Sequence, residues 1–313
     1  MQDVIKEIIS RHLGKVLINE RISNYTTYRV GGKVRAICFP KNEEDLIALV
    51  GLLKENKIKY FVLGNGSNVL FSDNMYDGII IKLDNFNKIS IKRNTIEVGA
   101  GYPLIKLSND AMRNSLVGLE FASGIPGTVG GAVFMNAGAY GEDMSKIVSS
   151  VRVLTSDLKI VELSNKEMEF SYRTTILQKH LDYVCISAKL KLKKGQKEEI
   201  EKIMTERREV RRATQPLNFP SAGSVFRNPP GMYAGKLIED MGLKGFSVGK
   251  AMVSEKHANF IINTGNAKAS DIKKIIDTIK QKAISKYNIR LRVEQRLINW
   301  VGVSEKEEDE DKN

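Results

Sequence analysis

Five segments hold the residues whose types and spacing could do chemistry. Residues 63–70 (LGNGSNVL) end an apolar run in small residues, whose free N–H groups can form a nest for phosphate. Gly64 and Gly66 open like a dinucleotide fingerprint, but Val69 stands at the third glycine position and no helical pattern follows, so a Rossmann site fails and a tight turn is the plain alternative. Residues 124–141 are uncharged and contain six glycines. So many residues free to adopt positive φ suggest backbone wrapped around a large flat ligand or a pyrophosphate, with a buried packing segment as the alternative. Ser224, beside Gly223 in a loop between Pro220 and Pro229, is a nucleophile, a proton donor or a turn former. Arg173 stands in an uncharged patch and suits a two-pronged hold on a carboxylate. Glu294 lies between Arg292 and Arg296 on the last strand expected, and both it and Arg173 read more often as members of structural ion pairs than as catalysts.

Other chemistries lack their residues. Gly231 to Lys236 and Gly245 to Lys250 echo a P-loop, yet each has three residues between its glycines and no Ser or Thr after the lysine. The three histidines are far apart, and the two cysteines, Cys38 and Cys185, cannot build a disulfide scaffold, so no metal is expected. The net charge is +12, and the run from residue 305 to 313 is acidic, leaving about +16 elsewhere. Such a field favours nucleic acid, anionic membrane or phosphate-bearing small molecules. Aromatics are only 7% and are not interleaved with a basic stretch, which argues against nucleic acid. The longest uncharged run is broken by glycine and proline, and residues 1–15 have no signal-peptide core; a cytoplasmic protein without a membrane partner is expected.

The elements that must position these residues are strands and helices in mixed order. Val4, Ile5, Ile8 and Ile9 predict an amphipathic N-terminal helix. Residues 34–39, 60–63 and 78–83 predict strands, and Asn42 predicts a cap on a helix carrying Leu46, Leu49, Val50 and Leu53. Strands are expected at 88–91, 95–98, 147–154 and 158–163, with a helix at 103–114. Residues 184–192 alternate with period two, leaving Cys185 on the polar side. A charged helix at 196–212, with Ile200, Ile203 and Met204 as its apolar side, bridges to the last region. There a helix at 270–287, capped by Ser270, and a closing strand at 290–301 are expected.

The ordered segments 25–32 (YTTYRVGG), 63–70, 124–141, 170–174, 221–229 and 291–298 resemble the UDP-N-acetylenolpyruvoylglucosamine reductases, flavoenzymes of bacterial peptidoglycan synthesis. The likeness runs from about residue 20 to about 302, and the short loop after Arg173 matches the shorter class, which lacks an extra tyrosine-bearing loop. The resemblance implies an α+β fold in three domains. Residues 1–85 and 86–205 would bind FAD in the vanillyl-alcohol oxidase (PCMH-type) fold, 206–302 would bind the UDP-sugar, and 303–313 would be a disordered acidic tail. It further implies non-covalent FAD, NADPH as hydride donor, UDP-N-acetylglucosamine enolpyruvate as substrate, and a monomer. By matching position, Arg173 and Glu294 would polarise the substrate carboxylate and Ser224 would donate the proton. Gly64, Asn65, Gly66, Ser67, Asn68, Gly124, Ile125, Pro126, Gly127, Gly130, Gly131, Asn136, Gly138 and Tyr140 would cradle the flavin. Asn228 and Lys244 would hold the substrate diphosphate. A different flavoenzyme of the same superfamily, oxidising a hydroxy acid or alcohol, would keep the cradle but has no need for the Ser224 loop with Arg173 and Glu294.

Overall fold

Local signals set the first layer. Asn42 accepts the Asp45 N–H at 2.8 Å and starts the helix Glu43–Glu55, whose buried Leu46, Leu49, Val50 and Leu53 recur at helical spacing. That face packs on a four-stranded sheet ordered Lys15–Ile18, Val34–Phe39, Tyr76–Ile81, Tyr60–Val62. The first pair is antiparallel and the other two are parallel. The computed structural model describes residues 1–302; the acidic segment 303–313 lies outside the described residues.

The second sheet is antiparallel, ordered Ile160–Ser164, Val148–Leu154, Val184–Lys191, Thr95–Gly99, Ile89–Lys92. Val184, Ile186, Ala188 and Leu190 point inward as period two requires, but Cys185 is buried as well, in the wall of a cavity. One hydrophobic core joins the two sheets, from Val4 to Leu192. The helices Leu104–Arg113 and Lys197–Thr214 pack together and on the short turn Glu120–Gly124.

The last region has its own core around helix Ala269–Tyr287, which lays Ile272, Ile275, Ile276, Ile279 and Ala283 on the small sheet Ser247–Val248, Ala251–Val253, Ile261–Asn263. Three expectations change. Ser270 is not the cap: the helix begins after Lys268, and the Asp73 carboxylate, from the first region, accepts the Ala269 and Ser270 N–H groups at 2.9 Å each. Ile9, Ile203 and Ile284 are exposed, since each lies just beyond the arc its helix buries. The closing strand shrinks to Arg296–Ile298, and it pairs in parallel with Val69–Phe71 of the first region rather than within its own. The reach of that pairing is three residues because residues 290–295 instead follow the Ser224 loop, with a bridge between Phe226 and Val293.

Residues 25–32 bind the first and third regions together. Tyr28 is buried in the C-terminal core; its hydroxyl donates to Gln295 at 3.1 Å, and its carbonyl accepts from Asn263 at 3.0 Å. The Thr27 N–H donates to the Gly66 carbonyl at 3.1 Å, bracing the glycine loop from behind.

Candidate active site

Both glycine-rich segments and the Ser224 loop line one cavity of about 510 Å³, a size suited to a cofactor or substrate. Residues 63–68 form one wall, 125–128 and 130–132 another, and 221–224 with Glu294 and Arg296 a third. The two glycine walls are joined where the Asn65 amide donates to the Pro126 carbonyl at 3.4 Å. Gly66 has φ +63°, and a Cβ there would lie 2.4 Å from the Tyr25 carbonyl oxygen, so no side chain fits without moving main chain. Gly130 abuts Ala100 less tightly: an added Cβ would lie 2.9 Å from the Ala100 Cβ. Thr128 caps the short helix Val129–Phe134 by accepting the Gly131 N–H at 3.3 Å.

Arg173 occupies the left-handed region at φ +57°, in a turn closed by the Ser171–Thr174 bridge. Its Nε donates to Glu294 Oε1 at 3.1 Å and its Nη2 donates to the Gly138 carbonyl at 3.0 Å. Buried Asn136 fixes that turn, donating to the Ser171 carbonyl at 2.9 Å and accepting the Ser145 N–H at 3.0 Å. Glu294 is held by its own N–H, which donates to the Val225 carbonyl at 2.8 Å, so the residue after Ser224 sets its position. The Glu294 side chain is 13% exposed. Burial raises its pKa above the ordinary carboxyl value and outweighs the opposing pull of Arg173, of Arg227 and of the Arg173 hydrogen bond. A carboxyl so placed keeps its proton to higher pH than an exposed one.

Not every expected residue faces the cavity. Gly124 sits beneath Arg211, where a Cβ would meet the arginine Cδ at 2.5 Å. Asn136 acts through the Arg173 turn. Tyr140 is exposed; its hydroxyl donates to the Arg207 carbonyl at 3.1 Å and its ring lies 4.8 Å under that guanidinium. Asn228 accepts the Ala234 N–H at 3.1 Å, capping helix Ala234–Asp240, and Lys244 pairs with Glu239 at 2.9 Å.

Other residues join the site without a sequence signal. Lys82 reads as an ordinary strand residue, yet it is buried and its ammonium donates to the Gly64 carbonyl at 2.8 Å while lying 3.3 Å from Asp84. Arg296 lines the cavity with its guanidinium 5.2 Å from the Phe61 ring and 5.0 Å from the Phe134 ring. Cys185, on the polar side of its strand by alternation, packs in the core and lines the cavity; burial pushes its thiol up to about 12, so it stays protonated near neutral pH and is a poor nucleophile. Arg211 and Gln215 come from the end of the charged helix.

Comparisons with known proteins agree with this geometry. Residues 34–164 match the family described as FAD binding domain, and residues 215–298 match UDP-N-acetylenolpyruvoylglucosamine reductase, C-terminal domain. The UDP-N-acetylenolpyruvoylglucosamine reductases of Anoxybacillus flavithermus and Bacillus subtilis are 44% and 42% identical to the chain, each over 95% of it and 99% of the relative. The crystal structure of the enzyme of that name from Thermus caldophilus superposes with a TM-score of 0.78 at 34% identity, covering 91% of this chain and 98% of that one.

Proposed function

The chain belongs to the UDP-N-acetylenolpyruvoylglucosamine reductase family, an FAD-dependent oxidoreductase family of peptidoglycan precursor synthesis, and on that premise we propose that it reduces UDP-N-acetylglucosamine enolpyruvate to UDP-N-acetylmuramate with NADPH. The observation that carries this reading is the pairing of Arg173 with Glu294 beside Ser224, on the cavity that the glycine loops also line. The residues present fit FAD. Main chain forms the cavity wall at Gly64, Gly66, Gly127, Gly130 and Gly131, Lys82 holds the Gly64 carbonyl from outside it, and Arg296 adds positive charge to the wall. FAD is held without a covalent bond in this reading, the protonated Cys185 thiol being no competent nucleophile.

When bound, FAD supplies the hydride taken from NADPH. The protein has two tasks left. Arg173 grips the enolpyruvyl carboxylate and stabilises the negative charge that moves toward it. Glu294 joins that grip as a neutral or proton-sharing acid, since two bare carboxylates would repel, and its raised pKa suits the role. Ser224 donates the proton to the carbon next to the carboxylate; a hydroxyl is a weak acid, and the enolate is the strong base that it requires. Residues 1–85 and 86–205 carry the flavin and 206–302 the sugar nucleotide, with Asn228 and Lys244 on its diphosphate. Each of these two is occupied locally, as a helix cap and an ion pair, and would exchange that partner for the ligand.

A yellow preparation whose NADPH oxidation depends on the enolpyruvyl sugar nucleotide is the expected result. Flavin that NADPH leaves oxidised, and that only an alcohol or hydroxy acid bleaches, would replace this assignment with an oxidase of the same superfamily.

A further inference from the structure

Trp300 and Val301, just past the strand Arg296–Ile298, line a second cavity of about 570 Å³ that the function proposed above does not use. The first region places both residues. The Trp300 indole N–H donates to the Leu70 carbonyl at 2.9 Å, and the Asn299 amide donates to the Ser72 hydroxyl at 3.1 Å and to the Asn74 and Met75 carbonyls at 3.3 and 3.2 Å. The chain therefore leaves the wall at a fixed point, with Val301 97% exposed. Lys57 and Lys59 line the same cavity, both exposed and neither paired with a carboxylate among the described residues. Their backbone is held: the Lys57 N–H donates to the Lys54 carbonyl at 3.0 Å, and the Lys59 carbonyl accepts the Ile79 N–H at 2.9 Å. Lys57 sits at φ +54° just past the end of helix Glu43–Glu55, where glycine or asparagine is favoured and a lysine carries backbone strain. Asp77, on the same wall, is already paired with Arg35 at 2.8 Å and does not answer the two lysines.

Residues 305–311 hold six acids and one lysine. Glu305 is four residues past Val301, at most about 14 Å along an extended chain, and Asp311 is ten past it, at most about 35 Å. Lys57 and Lys59, on the wall that Val301 shares, are the cations nearest to hand. A run of like charges repels itself, and each acid set beside a cation relieves that repulsion. We propose that the acidic segment 305–311 folds back over this cavity onto Lys57 and Lys59, as an electrostatic strap that ties the C-terminal strand to the first region. A second copy of the chain would compete poorly for the same lysines, because a segment tethered a few residues away is present at a far higher effective concentration. The pairs formed are exposed, so salt screens them. Anchoring of the strand that completes Val69–Phe71 thereby becomes sensitive to ionic strength. The strap goes beyond the flavin reading and does not depend on it.

Carbodiimide cross-linking of the full chain, read by peptide mass spectrometry, and thermal melts in about 10 mM and about 1 M salt test the strap. Links from Lys57 or Lys59 to the acids of 305–311 are expected in the monomer band in dilute salt, falling at least about fivefold at high salt. Lys57→Gln with Lys59→Gln is expected to lower the melting temperature by about 2 °C in dilute salt and by less than half of that at high salt. Neutralising the segment at full length, by Glu307→Gln, Glu308→Gln, Asp309→Asn and Glu310→Gln together, is expected to cost the same, and adding the lysine pair to it costs nothing more. Lys92→Gln with Lys193→Gln removes two exposed cations elsewhere and leaves the effect of neutralising the segment intact. Losses that simply add overturn the assignment. So does an absence of links to Lys57 and Lys59, or their replacement by links to Lys92 and Lys193. Links found only in a covalent dimer give the segment to a second copy and overturn it as well.

Discussion

The two ends of the site are built by opposite means. At the glycine loops the wall is main chain: Gly64, Gly66 and Gly130 are each pressed against another segment, with space for no side chain. At the other end the candidate ligands, Asn228 and Lys244, are side chains already engaged with Ala234 and Glu239. A backbone wall is fixed when the chain folds and costs little to occupy. A side-chain wall must release its partners first, so its affinity is the difference between two sets of contacts. Arg173 and Glu294 lie between these extremes, paired with each other and braced by backbone carbonyls.

Four substitutions would break or sharpen that contrast. Ser224→Ala should keep FAD and be reduced by NADPH, yet turn over the sugar nucleotide at least about 100-fold more slowly in stopped-flow and steady-state assays. Near-normal turnover would remove the serine from the mechanism. Gly66→Val should weaken FAD binding by about thirtyfold, because it adds strain of about 2 kcal/mol at a positive φ and pushes into the Tyr25 carbonyl; fluorescence titration measures this. Unchanged affinity would mean that the loop is not a preformed wall. Lys244→Met should raise KM for the sugar nucleotide about tenfold while leaving FAD affinity alone, since one charge-assisted contact is lost. An equal loss of FAD affinity would erase the distinction between the two ends.

The smallest effect concerns pH. Glu294 has a folded pKa above its unfolded one, so the folded state holds its proton more tightly. The stability this provides is complete below the ordinary carboxyl value and fades as pH rises through the raised folded value. Thermal melts should therefore show Glu294→Gln gaining on the parent across that rise. A parent that gains on the variant instead would mean that Glu294 is ionised and stabilised by Arg173.

Much of the fold was legible because its signals are local. The Asn42 cap, the stripe on helix Glu43–Glu55 and the alternation in Val184–Lys191 depend on neighbours a few residues away. The glycine loops were legible for the same reason, since a residue without a Cβ marks close backbone approach wherever it occurs. What the sequence hid depends on distant partners. Ser270 reads as a cap, but Asp73 performs that task from nearly two hundred residues away (separation 197). Lys82, Arg211 and Gln215 have the composition of an ordinary strand and helix, and only the folded chain sets Lys82 on the Gly64 carbonyl and turns Arg211 and Gln215 toward the cavity. Cys185 obeys the alternation of its strand and is buried all the same, on a cavity wall that no periodicity describes.

The parallel pairing of Arg296–Ile298 with Val69–Phe71 has a consequence for biogenesis. The strand that leaves the Gly64 loop is completed by residues far along the chain, and the Tyr28–Gln295 contact spans 267 positions. Loops of that length close late and slowly. A polypeptide that has not yet reached Ile298 thus lacks a finished seat for its coenzyme, and uptake of the yellow chromophore reports on whether synthesis has passed that strand.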